Sequence, residues 1–398
     1  MTESALGVLK VLDLSEGISG PYCTRLLAGW GAEVIKVERP GHGDCARSAG
    51  PFPDAGPHQE KSALFLYLNT GKKSITLNLG TTTGRHLLVE LAKDADVLVE
   101  NFKPGIMHDR GLGYAALEEI NPRLVMTSIT AFGQDGPYRD YKSSGIVGYA
   151  MGGQMWVCGQ PDRAPLNSAI AIPEYFGGLY GYASTMLALR YADDTGRGQQ
   201  VDVSILECLA ASHQFTLTWP AYSNSLLVRP GWPGFRAPLS FYACKDGYVN
   251  LRLQGIEMPF LAFLLDMPQL ADDPRFQTLE ARSENIKVLE EIVAGKLANM
   301  SKKDVFRTAG EWRALCGYVA TPEDLLSDPQ YLAREFWTEI EHPAVGKLPY
   351  PGAPVKMTET EWWNGRAPLL GEHNEEIYCG RLGYSKDGLV RLRAYGII

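Results

Sequence analysis

No two of the seven cysteines (Cys23, Cys45, Cys158, Cys208, Cys244, Cys316, Cys379) stand at CxxC spacing, and their number is odd. Thiols scattered in this way exclude a disulfide frame or a zinc knuckle and point to a reducing, cytoplasmic setting. The seven histidines show no HExxH or similar pairing, so the sequence offers no metal centre. A lysine- or arginine-dense block is also missing and the formal net charge is −8, which argues against a nucleic-acid partner. No apolar run reaches the roughly 18 to 20 residues that a membrane-spanning helix needs. The opening MTESALGVLKVLDLS has no basic flank followed by a long apolar run, so no signal peptide is expected there. Two nucleotide signatures are absent as well. GxxxxGK[ST] is not found, and after the first apolar strand Gly17 and Gly20 stand alone in EGISGP instead of forming GxGxxG. Nucleotide hydrolysis and nicotinamide chemistry lose their usual supports.

What is present is an ordinary soluble composition, 45% hydrophobic and 21% charged, on a chain of 398 residues that is long enough for two domains. Residues 7–15 and 31–38 read as strands around a helix through Leu26, Leu27 and Ala28, a parallel α/β unit. Within 68–79 a strand opens at Lys72-Lys73, further strands are expected at 96–102 and 123–130, and a helix over 82–93 sets Leu87, Leu88, Leu91 and Ala92 on one face. A Pro/Gly/aromatic connector at 219–238 marks a boundary. Beyond it, FYACKDGYVNLRL predicts a hairpin around Lys245-Asp246-Gly247, and helices follow at 280–297 and 302–312. Residues 342–398 have too little apolar periodicity to fold alone and are expected to pack back on the first part. The fold class is therefore α/β. A large parallel-sheet domain takes residues 1–222, a smaller α+β domain takes 223–330, and 331–398 return to complete the large domain.

Two features carry chemistry. Ligands of such sheets sit at the carboxyl ends of the strands, and here the strand ends bear Arg39, Lys72, Lys73, Asn101, Lys103, Arg139 and Lys142. A charge run is usually a solvated face, yet cations recurring after successive strands of an acidic protein suit a phosphorylated, polyanionic ligand. The second feature is PLNSAIAIPEYFGGLYGY, where Glu174 stands between an apolar run and the pair Gly177-Gly178, with a helix expected from Leu179 to Tyr191. A helix start favours an anion, and bare glycine backbone lets a bulky ligand approach. The same position also suits a plain helix-start carboxylate.

The segments VLDLSEGISGPYCTRLLAGWGAEVIKVERPGHGD, LNTGKKSITLNL, DVLVENFKPGIM, INPRLVMTSITAFGQDGPY, TGRGQQVDVSILE, CKDGYV, DPRF and PLLGEH, in this order, resemble the class III CoA-transferase family. That family includes formyl-CoA and carnitine CoA-transferases and the related 2-methylacyl-CoA racemases. The resemblance covers nearly the whole chain. It implies a Rossmann-like large domain made from both ends of the chain, a small domain from the middle, and two subunits threaded through each other as an interlocked dimer. It implies CoA or acyl-CoA as substrate, a carboxylic acid as second substrate, and no permanently bound cofactor. Carried onto this sequence, Arg39, Lys73 and Lys142 would meet phosphates, Asn101 and Phe102 would line the adenine and pantetheine path, and Gly17-Ile18 would form the mouth near the thioester. The arginine that follows ENFxPG in relatives is displaced by one place, to Arg110.

The family's nucleophile is an aspartate four residues before a Gly-Leu-Tyr-like segment, and that slot holds Glu174 here. A carboxylate, ionised at neutral pH with a reference pKa of about 4.3, would attack the thioester to give a mixed anhydride and free CoA thiolate. Backbone N–H groups near the glycines would hold the oxyanion. Glutamate carries one methylene more than aspartate. Glu174 is thus either a working nucleophile in an adapted pocket or a relic in a silent subunit of a two-subunit transferase, as in the benzylsuccinate type. In the racemases a histidine partners the aspartate; its counterpart here falls near Ser144-Gly145, and neither residue takes a proton at neutral pH, which speaks against racemisation.

Overall fold

The computed structural model describes residues 4–53, 56–159, 163–213, 216–224, 240–251 and 256–398. The chain divides into two compact units. One comprises residues 1–156, 166–215 and 334–398, and the other comprises 157–165 and 216–333. The sequence set the boundaries at 222 and 330. Much of the connector expected at 219–238 lies outside the described residues, and its start, Trp219–Ser223, is helical.

The first unit is built on six parallel strands, β1 (Lys10–Asp13), β2 (Glu33–Glu38), β3 (Lys73–Thr76), β4 (Val97–Glu100), β5 (Val125–Thr130) and β6 (Gln200–Ser204). They lie in the order β3-β2-β1-β4-β5-β6, so the winding reverses between β1 and β4. Strands covered on both faces read as unbroken apolar runs, and the VLVE of β4 and VMTSIT of β5 are buried throughout. One face carries α1 (Ser19–Gly29), whose Cys23, Leu27 and Ala28 share a core with Val11, Val97 and Ile129. The other carries α2 (Thr82–Ala92), capped by the Thr81 side chain on Gly84 N and buried through Leu87, Leu88 and Leu91. Ile377, Tyr378, Leu389 and Leu392 of the C-terminal return join that second core, and the Tyr378 hydroxyl donates to Thr76 O at 2.8 Å. Each fully buried side chain of this kind stabilises the fold by about 1.5–3 kcal/mol.

The second unit has a three-stranded antiparallel sheet, β7 (Ser240–Cys244), β8 (Gly247–Leu251) and β9 (Cys316–Tyr318), with the hairpin turn at Lys245-Asp246. Helices Ile286–Leu297 and Lys302–Glu311 bury Leu289, Val293, Leu297, Val305 and Ala309 in its core. Among the described residues no helix is long and apolar enough to cross a membrane.

Charges, not only apolar groups, fill the carboxyl ends of β1 and β2. Asp13, Lys36 and Lys72 are wholly or almost wholly buried. Lys72 Nζ lies 2.9 Å from Asp13 Oδ2, and Lys36 Nζ lies 2.8 Å from Asp44 Oδ2 and 3.7 Å from Asp13 Oδ2. Burial opposes ionisation of Asp13, but Lys36 and Lys72 outweigh it and hold its carboxyl far below the ordinary range. The same burial pulls Lys72 below its usual value despite Asp13. Removing one member of a buried ionic set strands the others, at a cost of about 3–5 kcal/mol. Asp13→Asn should lose about that much unfolding free energy in urea titrations. Because the folded pKa is depressed, the stability Asp13 contributes is complete above its unfolded value of about 3.9 and disappears as pH falls toward the folded one. The variant should therefore show a shallower loss of stability on acidification than the native chain; equal slopes and equal midpoints would contradict this.

Candidate functional site

The turn after β1 is suspended on these buried side chains. Lys36 Nζ donates to Ser15 O at 2.8 Å and Lys72 Nζ to Pro21 O at 2.9 Å. Gly17 has φ +77°, a conformation glycine adopts at no steric cost, and its N–H donates to Asp44 Oδ1 at 2.8 Å. Asn101, just past β4, completes the brace: its Oδ1 accepts from Glu16 N at 2.8 Å and its Nδ2 donates to Glu16 O at 2.7 Å. The ends of β1 and β4 flank the point where the winding reverses, the usual place for a ligand crevice in open α/β sheets.

A cavity of about 640 Å³ opens there, and its walls include the start of α1 and the ends of β4, β5 and β6. Ser19, Asn101, Phe102 and Thr130 line it, with Lys103, Arg139 and Lys142 bringing three cations. Glu174 reaches it from a long helix, α5 (Ile172–Thr195), whose second residue is Pro173. The helix begins well before the expected Leu179, and Gly177-Gly178 lie inside it. A Cβ at Gly177 would meet Ile205 Cγ1 at 2.6 Å, and one at Gly178 would meet Ser19 O at 2.5 Å. The pair thus serves close packing of α5 on its neighbours. Its N–H groups fall inside the i→i−4 ladder of the helix and are not free for the oxyanion expected of them. Glu174 sits in the first turn, where the helix dipole favours a carboxylate. Its Oε2 is buried without a hydrogen-bond partner.

Of the residues singled out from the sequence, Glu174, Asn101, Phe102 and Lys142 line one cavity. Gly17 and Ile18 directly precede Ser19 on its wall. The guanidinium of Arg110, directly after α3 (Ile106–Asp109), lies 5.9 Å from the centre of the Phe102 ring, and Arg39 is exposed directly after β2. Lys73 is elsewhere. It opens β3 at the amino end of the sheet, where Nζ bonds Glu33 Oε1 and Glu376 Oε1 at 2.6 Å each. Lys72, also expected among the ligand-facing cations, is committed to Asp13. Ser143, Ser144 and Gly148 also line the cavity, and Gly145 lies against Glu174; no motif flagged them beyond the bare position of Ser144-Gly145. A second cavity of about 840 Å³, with Glu100, Tyr114 and Met126 on its walls, shares Lys103, Pro104, Arg139 and Asp140 with the first.

The model of the family described as CoA-transferase family III matches residues 6–374. A succinyl-CoA--D-citramalate CoA-transferase of Chloroflexus aurantiacus is 34% identical over 399 residues, spanning 98% of this chain and 97% of its own. A formyl-CoA:oxalate CoA-transferase of Streptomyces avermitilis is 33% identical over 421 residues, with 100% of each chain covered. Among solved structures, a CAIB/BAIF family protein from Brucella suis superposes with a TM-score of 0.86 at 31% identity, over 95% of this chain and 99% of that one. With a carboxylate facing a cation-rimmed cavity at the switch point of the sheet, the chain belongs to CoA-transferase family III and is a CoA-transferase, moving CoA from an acyl-CoA to a carboxylic acid.

Proposed function

We propose that Glu174 is the nucleophile of this transfer. One observation carries the reading: its buried Oε2 has no partner in a chain where buried carboxylates such as Asp13 and Glu38 are fully engaged. An unsatisfied buried polar atom needs an explanation, and a carboxylate kept free for attack supplies one. Its oxygen adds to the thioester carbonyl of the donor, the C–S bond breaks, and the acyl group remains on Glu174 as a mixed anhydride with CoA thiolate released. The thiolate attacks the Glu174 carbonyl, expelling the donor acid and leaving CoA on the enzyme as a thioester. The acceptor carboxylate then attacks that thioester to form a second anhydride. The returning thiolate takes the acceptor acyl group, and Glu174 regains its charge. Glu174→Gln keeps the shape but is a very poor nucleophile. Turnover should fall by at least about a thousandfold while CoA binding stays unchanged; full turnover in purified Glu174→Gln would remove the assignment, whereas a purified native chain with no turnover of its own would be the outcome expected of a silent subunit.

For CoA itself, Arg39, Arg110 and Lys142 are assigned to the phosphates, Asn101 and Phe102 to the path of the pantetheine and adenine, and Gly17-Ile18 to the mouth near the thioester. Lys73 has no part in this, since Glu33 and Glu376 hold it. Support comes from the exposed Lys142 on the cavity rim and from the two cavities meeting at Lys103 and Arg139, room for a long anionic ligand. Lys142→Ala should weaken CoA binding about tenfold, close to 1.4 kcal/mol, with a shallower salt dependence in calorimetry. Unchanged affinity would exclude the contact.

The active form is assigned as a dimer of two copies. Helix α5 is apolar on both sides, and its outer face leaves Leu179, Tyr180, Leu187 and Tyr191 exposed, Leu187 at 73%. A helix apolar all round is normally buried. Light scattering should give twice the chain mass, and Leu187→Glu should shift it toward the single chain. A native protein that stays monomeric at micromolar concentration would contradict the assignment.

A further inference from the structure

Gly145 opens the helix α4 (Gly145–Met151), directly after the N-cap Ser144. Gly145 does not have the positive φ that would demand glycine. A Cβ built there would meet Glu174 Oε1 at 3.0 Å, Oε2 at 3.1 Å and Cδ at 3.5 Å. Its three nearest atoms are all carboxylate atoms of Glu174. Elsewhere on α4 the glycine contacts are of another kind: a Cβ at Gly148 would meet Pro173 Cβ at 3.3 Å, a tight approach to an apolar side chain and not to the carboxylate.

We infer that Gly145 is a positioning residue matched to Glu174: its missing side chain makes the gap into which the longer carboxylate extends. This rests on the assignment of Glu174 as nucleophile. An aspartate would hold its oxygens back by about one C–C bond, roughly 1.5 Å, and would not need the gap. A methyl group at 145 pushes both oxygens aside by several tenths of an ångström. Displacement of about 1 Å at a reacting atom costs on the order of a hundredfold in rate, so the smaller shift reads as about tenfold.

The test is a double-mutant cycle with a size series. Gly145→Ala should lower kcat about tenfold, leave KM for acyl-CoA within about twofold, and leave the unfolding midpoint equal or higher, since alanine is the better helix residue. Gly145→Val should lose at least about tenfold more. In the Glu174→Asp background, Gly145→Ala should change kcat by less than about twofold, because the shorter carboxylate has withdrawn. Equal kcat for Gly, Ala and Val at 145, or the same loss from Gly145→Ala in both backgrounds, overturns the matched pair. If Glu174→Asp has no measurable turnover, the size series decides alone. Failure of the underlying assignment is distinct: Glu174→Gln would then retain turnover, whereas an inactive Glu174→Gln beside a fully active Gly145→Ala sinks only the role of Gly145.

Discussion

The buried contact between Asp13 and two lysines is the constraint on which the site depends. Lys36 and Lys72 neutralise Asp13, yet each also donates to a backbone carbonyl of the next segment, Ser15 and Pro21. The Ser15 N–H and hydroxyl close on Asp13 Oδ1 in turn. Charges taken out of water seldom add net stability over apolar side chains of the same volume. What they supply here is geometry. A turn with no glycine-rich fingerprint is held by directional bonds at residues 15, 16, 17 and 21, from β1, the loop after β2, the start of β3 and the end of β4.

From that turn the cavity follows. The reversal of winding between β1 and β4 leaves a crevice that no crossover covers. Asn101 spends its amide on Glu16, so its part in the wall is first structural, and Phe102 and Lys103 continue from it along the rim. On the opposite side, close packing of α5 on α1 through Gly178 and on α6 (Ile205–Ala211) through Gly177 brings the first turn of α5 to the same opening. Oε2 of Glu174 is buried there without a hydrogen-bond partner, an uncompensated polar atom that calls for an explanation.

The sheet was legible because its buried strands carry β-branched and other apolar residues at most positions, as in GAEVIKVE and DVLVENF, although Lys36, Glu38 and Glu100 are buried among them. Glu174, Asn101, Phe102 and Lys142 were legible through the resemblance and their place after apolar runs. Lys72 and Lys73 show where one dimension falls short. Neighbours in the chain point to opposite sides: Lys72 turns inward to Asp13, while Lys73 turns out to Glu33, forty positions away in the chain, and to Glu376, 303 away. Neither partner can be guessed from spacing. The start of α5 was misplaced because Gly-Gly reads as a helix boundary, whereas tertiary packing makes both glycines necessary inside the helix. Gly145 was marked only by its place near the counterpart of the racemases' histidine, and nothing in the sequence ties it to Glu174, against which it lies.

The central claim is that Glu174 becomes covalently acylated during turnover. Incubating the enzyme with an acyl-CoA and then with hydroxylamine, followed by digestion and mass spectrometry, tests it directly. The account predicts a hydroxamate on the side chain of Glu174 in the peptide containing IPEYFGG, formed only with acyl-CoA present and absent from Glu174→Gln. An enzyme that turns over while that peptide stays unmodified, or one that yields the hydroxamate on a different carboxylate, would contradict it.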